Sequence, residues 1–69
     1  MKPAEERDFR EFAEPTARTL LPIAGALTGS QPAAERLVFA ALTGVARRWR
    51  RIDGDRIEHA TRLLYRRYT

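Results

Sequence analysis

Hydrophobic and charged residues recur along this chain with the period of an α-helix in three successive segments. In each segment the apolar side chains return about every 100° of helical rotation, and charged side chains occupy the opposite side. No stretch keeps the two-residue alternation of a β-strand for long enough to predict one. The pattern therefore predicts an all-α fold, a compact three-helix bundle formed by residues 1–69 as a single domain.

The first segment carries its apolar face from Phe9 to Leu27, and Gly29 is expected to end it in a left-handed conformation. Pro15 and Pro22 lie inside the segment, where each removes an amide donor and crowds the carbonyl group four residues earlier. Two alternatives follow from these prolines. The segment is either one kinked helix or two shorter helices split at Pro15.

The second segment is predicted to begin at Ser30, a good N-cap residue, with Pro32 in its first turn, and to end around Ile52. Gly44 in its interior is expected to permit the close approach of a neighbouring helix. The apolar stripe of this segment includes the only tryptophan, Trp49. The period therefore predicts that Trp49 packs in the core, although four arginines surround it in the sequence.

The third segment is predicted to begin at Asp55, which forms a capping-box spacing with Glu58, and Asp53 is a rival cap. His59 is expected to point to solvent. The apolar face is predicted to contain Ile57, Ala60, Thr61, Leu64 and Tyr68.

Positive charge is concentrated in the second half of the chain. Residues 1–35 contain four Lys or Arg and six Asp or Glu, a net charge of −2, whereas residues 36–69 contain nine arginines and three acids, a net charge of +6. An acidic partner is therefore expected to meet the C-terminal half. Arginine is suited to bidentate contacts with phosphate or carboxylate groups.

The sequence offers no candidate for catalysis. It has no cysteine, and its single histidine, His59, has no companion residues with metal-ligand spacing, so neither an enzyme nor a metal or cofactor site is predicted. It has no apolar run long enough to span a membrane, and its N-terminus lacks the apolar core of a signal peptide. We therefore expect a cytoplasmic protein.

Two sets of residues are candidates for binding. The outward side of the second helix is predicted to present a partner-binding set, namely Arg36, Phe39, Thr43 and Arg47. Phe39 has two equally weighted interpretations, because an outward phenylalanine either forms a contact surface or covers part of another helix. The candidate nucleic-acid-binding residues are Arg47, Arg48, Arg50, Arg51, Arg62, Arg66 and Arg67. The alternative for these arginines is structural, since cations near a helix C-terminus are favoured by the helix dipole.

The motif LTGSQPAAERLV at residues 27–38, followed by RRW at residues 47–49, resembles a known family. Together with the Phe-x-x-Phe and Leu-Leu-x-x-Ala-x-x-Leu-Thr-Gly patterns that precede it, this stretch is similar to region 2 of extracytoplasmic-function sigma factors. The resemblance covers most of the chain, and the C-terminal stretch RIEHATRLLYRRYT resembles the start of the next family helix. The matching residues are Phe9, Phe12, Leu20, Leu21, Ala24, Leu27, Thr28, Gly29, Ala34, Glu35, Leu37, Val38 and Trp49.

The resemblance implies a sigma region 2-like helical bundle whose second helix binds the clamp helices of RNA polymerase, while the following helix and loop recognise and melt the promoter. The chain departs from the family where Arg36 replaces an Asp, Phe39 replaces a Gln and Arg66 replaces an Asn. The reversal at Arg36 would cost several kcal/mol against an arginine-bearing partner. Most of the promoter-reading part and region 4 have no counterpart here, so we expect a truncated sigma fragment or a small stand-alone protein.

Three functions are therefore open. In the first, the chain is a transcription-related module that contacts RNA polymerase or, non-specifically, DNA. In the second, it is a sigma mimic that binds an anti-sigma factor or another protein. In the third, it self-associates through Phe39. Promoter reading by this chain alone is not expected, because arginine contacts to phosphate carry little sequence information.

Overall fold

The computed structural model describes residues 2–52 and 54–69. These residues form a helical bundle without a β-strand, which confirms the all-α prediction. The elements are α1 (Pro3–Thr28), α2 (Gln31–Arg47), a 3₁₀ turn (Trp49–Arg51) and α3 (Arg56–Tyr68). Within the described residues, none of these helices has the length and apolar character needed to cross a lipid bilayer.

Helix α1 continues through both of its prolines, so the alternative of two helices split at Pro15 is excluded. Pro15 and Pro22 are exposed, and the carbonyl groups that lose their amide partners can therefore be hydrated. The opposite side of the helix is held in the bundle by a buried stripe of Thr16, Leu20 and Ala24. Packing of this stripe therefore maintains one helix despite two interruptions of its hydrogen-bond ladder.

The junction between α1 and α2 has the predicted caps. Gly29 adopts φ 70° and its amide donates to the carbonyl of Gly25 at 2.8 Å, which ends α1 in the left-handed conformation that glycine tolerates best. The Ser30 hydroxyl accepts from the amide of Ala33 at 3.4 Å and begins α2. Two residues therefore suffice to reverse the chain direction between the helices.

Helix α3 begins as predicted at Asp55, whose carboxylate accepts from the amides of Ile57 at 2.9 Å and Glu58 at 3.4 Å. The predicted capping box is only half formed, because the Glu58 carboxylate accepts from Arg62 at 2.9 Å and not from the Asp55 amide. The rival cap, Asp53, lies outside the described residues.

The prediction that α2 ends around Ile52 was wrong by several residues. The α-helix ends at Arg47, and the next residues tighten into the 3₁₀ turn, where the Arg51 amide donates to the Arg48 carbonyl at 2.8 Å. A 3₁₀-helix has 3.0 residues per turn and an α-helix has 3.6. Over a single turn, the positions of the apolar residues in the sequence fit both periods, so they do not show where one helix type changes to the other. Trp49 is nevertheless buried, as predicted, with 6% of its surface exposed.

The core lies where α2 packs against both other helices. Gly44 allows this packing on the α3 side, because a Cβ atom at this position would lie 2.9 Å from Cδ1 of Leu63. Gly44 therefore leaves room for the Leu63 side chain, and the expectation of a close approach between the helices themselves stays a prediction. The buried hydrophobic residues are Leu20, Ala24, Ala34, Val38, Ala41, Val45, Trp49, Ala60 and Leu64.

The predicted inner face of α3 was correct at Ala60 and Leu64, which are fully buried, and at Thr61, which is partly buried, but wrong at its two ends. Ile57 and Tyr68 remain about half exposed, whereas Leu63 is partly buried against the core. His59, predicted to face solvent, is partly buried, and its Nε2 atom is enclosed without a hydrogen-bond partner among the described residues. Leu63 lies beside Gly44 of α2, and His59 lies one helical turn before Leu63 on the same side of α3.

Candidate interaction surfaces

The outer face of α2 presents the predicted partner-binding set on one side of the helix. Arg36, Phe39, Thr43 and Arg47 follow the three- and four-residue spacing that brings side chains together. Arg36 and Arg47 are exposed at its two ends, and the Thr43 hydroxyl donates to the carbonyl of Phe39 at 2.8 Å. We call these four residues the α2 face.

Phe39 is the most exposed large hydrophobic side chain among the described residues, with 73% of its surface accessible. The interpretation that Phe39 covers part of α1 or α3 is therefore excluded for this structure. Aromatic residues and arginines are enriched at protein–protein interfaces, where a buried aromatic anchor often supplies a large part of the binding free energy. The α2 face has this composition.

A second surface lies at the C-terminal end of α2, where the chain tightens into the 3₁₀ turn. Arg47, Arg48, Arg50 and Arg51 are all exposed here and line one shallow groove together with Glu5 of α1. We call these four arginines the basic turn. Four guanidinium groups within five residues can bind phosphate oxygens, but they share this groove with one carboxylate.

That carboxylate belongs to Glu5, which forms an ion pair with Arg50. Nε and Nη2 of Arg50 donate to the two carboxylate oxygens of Glu5 in a bidentate arrangement. The hydrogen bonds from Arg50 lower the pKa of Glu5 from 4.5 to about 2, and the same contact raises the pKa of Arg50. Arg50 is therefore already engaged by an anion of this chain, which its sequence position did not indicate.

Trp49, at the start of the same turn, lies at the meeting point of all three helices. Its ring is edge-on to Phe9 at a centroid distance of 5.5 Å and packs at the same distance from Phe12, both on α1. The guanidinium carbon of Arg56, the first residue of α3, lies 3.8 Å from the ring centroid. Such a cation–π contact is favourable, and it was not predicted from the sequence.

The remaining predicted arginines lie on α3 and do not join the basic turn. Arg62 pairs with Glu58 one helical turn earlier, at 2.9 Å. Arg66 and Arg67 are exposed in the last turn of α3, and Arg67 lines a groove together with Arg36. Because residues from the beginning of α2 and the end of α3 line the same groove, the two helices are antiparallel.

The predicted nucleic-acid-binding set is consequently divided between the two ends of the bundle. Arg36 and Arg47 are eleven residues apart on α2, which corresponds to roughly 16 Å at 1.5 Å per residue. One end carries the basic turn, and the other carries Arg67 beside Arg36, which belongs to the predicted partner-binding set. Across the described residues, no cluster of His, Cys, Asp or Glu has the arrangement of a metal site.

A comparison of this chain with protein-family models, curated proteins and solved structures finds no match.

Proposed function

We propose that this chain is a sigma-factor-like, transcription-related binding module that contacts RNA polymerase through the α2 face and DNA, without promoter specificity, through the basic turn. The observation that carries the proposal is the exposure of Phe39 between two arginines on a helix whose other side is buried in the core. A helix of this kind can present a rigid anchor without reorganising, which lowers the entropic cost of binding.

The sigma resemblance supports RNA polymerase as the proposed partner, because the corresponding helix in that family contacts polymerase. Arg36 and Phe39 stand where the family has Asp and Gln. A polymerase contact by this chain would therefore use a cation and an aromatic ring in place of an acid and an amide. Contact through the same face with an anti-sigma-type protein is the alternative function.

The test is binding of purified bacterial core RNA polymerase to the immobilised chain. Phe39→Ala is expected to reduce recovery of polymerase by at least about tenfold, because truncation of an aromatic hot spot commonly costs about 2 kcal/mol or more. Ile57→Ala is the matched control, since Ile57 is a half-exposed apolar residue on a different helix. Both variants are expected to keep the helical circular dichroism of the parent chain.

The outcomes separate the functions. Failure of core polymerase to bind the parent chain would exclude the polymerase contact, and binding of an anti-sigma protein that is lost in Phe39→Ala would support the alternative. Concentration-dependent dimerisation that Phe39→Ala abolishes would indicate self-association through the α2 face instead.

The DNA contact has a separate test. Arg47, Arg48 and Arg51 are exposed, and arginine–phosphate contacts give an affinity that falls steeply as salt rises. We expect the chain to bind DNA duplexes of unrelated sequence with similar affinity at about 0.05 M salt and to release them at about 0.2 M salt. Absence of binding at the lower concentration would remove DNA from the proposal.

A further inference from the structure

A shallow groove on the opposite end of the bundle from the basic turn is lined by apolar side chains and two arginines. Ala33, Leu37 and Ala40 of α2 line it with partly exposed apolar surface, and Thr28 of α1 and Tyr68 of α3 complete the uncharged lining. Arg36 of α2 and Arg67 of α3 are exposed beside this surface. The groove therefore combines apolar surface with two positive charges.

Its electrostatics differ from those of the basic turn. No carboxylate lines this groove, and neither Arg36 nor Arg67 has an ion-pair partner within the described residues. In the basic turn, by contrast, Glu5 already occupies Arg50. The two guanidinium groups of the groove are consequently available to anions of another molecule.

We propose that this groove binds an acidic amphipathic segment of a protein partner. An apolar side chain of that segment packs on Leu37 and Ala40, and carboxylates on either side of it pair with Arg36 and Arg67. The inference rests on the proposed function, because Arg36 also belongs to the α2 face, and it extends the interface onto α3. It also defines the chemistry of the partner surface as acidic and amphipathic.

The apolar part of the lining is what favours a protein segment over nucleic acid. A phosphate backbone could pair with two arginines, but it offers no aliphatic side chain to bury on Leu37. On an amphipathic helix, acidic residues three or four positions away from an apolar residue lie beside it on the same face. Such a helix can bind with its apolar side in a groove. Bidentate pairing with carboxylates is a geometry that arginine favours.

The experiment is an NMR titration of the isotopically labelled chain with a synthetic amphipathic peptide that carries a leucine flanked by glutamates one helical turn away. We expect the largest shift changes at Ala33, Leu37, Ala40 and Tyr68. A peptide with glutamine in place of each glutamate is expected to bind at least about tenfold more weakly, because it lacks the charge-assisted contacts.

Two variants that change the net charge by the same amount separate binding in the groove from attraction to net charge. Arg67→Glu is expected to weaken peptide binding by at least about tenfold, whereas Arg66→Glu, at an exposed position outside the groove, is expected to change it less than about twofold. Equal losses in the two variants would show attraction to net charge alone and would overturn the proposal. So would an absence of binding, equal affinity for the glutamine peptide, or groove shifts caused by duplex DNA in place of the acidic peptide.

Polymerase recovery distinguishes this inference from the proposed function. If Phe39→Ala abolishes recovery while Arg67→Glu leaves it unchanged and the acidic peptide does not bind, the groove inference fails and the proposed function stands. If the peptide binds through Arg67 but the chain recovers no polymerase, the polymerase contact fails and the groove remains a peptide site.

Discussion

Glu5 and Arg50 join the beginning of α1 to the turn that follows α2, across 45 positions of the chain. The pair connects the acidic first half of the sequence to its basic second half and places a carboxylate among four arginines. It therefore acts on the electrostatics of the basic turn as well as on the packing of α1.

Glu5→Gln is expected to strengthen DNA binding, because Arg50 would no longer be held by an internal anion. We expect affinity to rise by about five- to tenfold near 0.1 M salt, and the slope of log affinity against log salt to steepen by about one, as one more phosphate contact forms. Fluorescence anisotropy with a labelled duplex over a salt series measures both quantities. Glu11→Gln makes the same charge change on an exposed part of α1, and an equal gain in this control would contradict the masking of Arg50.

The ion pair should also give the fold a dependence on acidic pH. The pKa of Glu5 is about 2 in the folded chain and 4.5 without the contact, so the folded state binds the proton less readily than the unfolded state. The stabilisation is therefore fully present above pH 4.5 and is lost as the pH falls from 4.5 towards 2. Thermal unfolding of the parent chain and Glu5→Gln across this range should give two curves that converge at low pH. A difference that stayed constant from pH 7 to pH 2 would rule out this ionisation as its source.

Trp49→Ala is expected to lower the free energy of unfolding by about 3–5 kcal/mol, because it removes the ring that Phe9, Phe12 and Arg56 contact. In a domain of this size such a loss is a large fraction of the total stability. Phe39→Ala is the comparison, and as a surface substitution it should change stability by no more than about 0.5 kcal/mol. Urea denaturation followed by circular dichroism measures both, and similar costs for the two variants would contradict the assignment of Trp49 to the core and Phe39 to the surface.

Gly44→Ala tests the contact between α2 and α3. Alanine is favoured over glycine in a helix by about 1 kcal/mol, but the new methyl group would require Cδ1 of Leu63 to move. We expect little of that gain in the parent chain and nearly all of it, about 1 kcal/mol, in a Leu63→Ala background. Urea denaturation of the four chains of this double-mutant cycle gives the coupling. If Gly44→Ala had the same effect in both backgrounds, the close approach of Leu63 would not limit this position.

Local chemistry explains why much of the fold could be predicted from the sequence. Gly29, Ser30 and Asp55 have side chains or backbone preferences that end or begin helices through contacts a few residues away. The helical period of the second segment places Trp49 on its apolar side, and the four neighbouring arginines do not change that position. These features depend on short sequence separations, and the three-helix organisation follows from them.

Features that depend on contacts between helices could not be predicted in the same way. The enclosure of His59 and the exposure of Ile57 depend on how α3 packs against the other helices, where Leu63 lies beside Gly44. The division of the arginines between the two ends of the bundle depends on the antiparallel arrangement of α2 and α3. No local spacing relates Glu5 to Arg50, so the occupied arginine in the candidate site was indistinguishable from its neighbours.

The position of Trp49 gives this chain an intrinsic fluorescent reporter. It is the only tryptophan, and it contacts two rings of α1 and a cation of α3 from a turn at the end of α2. Detachment of either outer helix would expose the indole to water and shift its emission to longer wavelength. Because Arg48 and Arg50 flank the same indole in sequence, its emission can follow both assembly of the bundle and occupation of the basic turn, with no label attached.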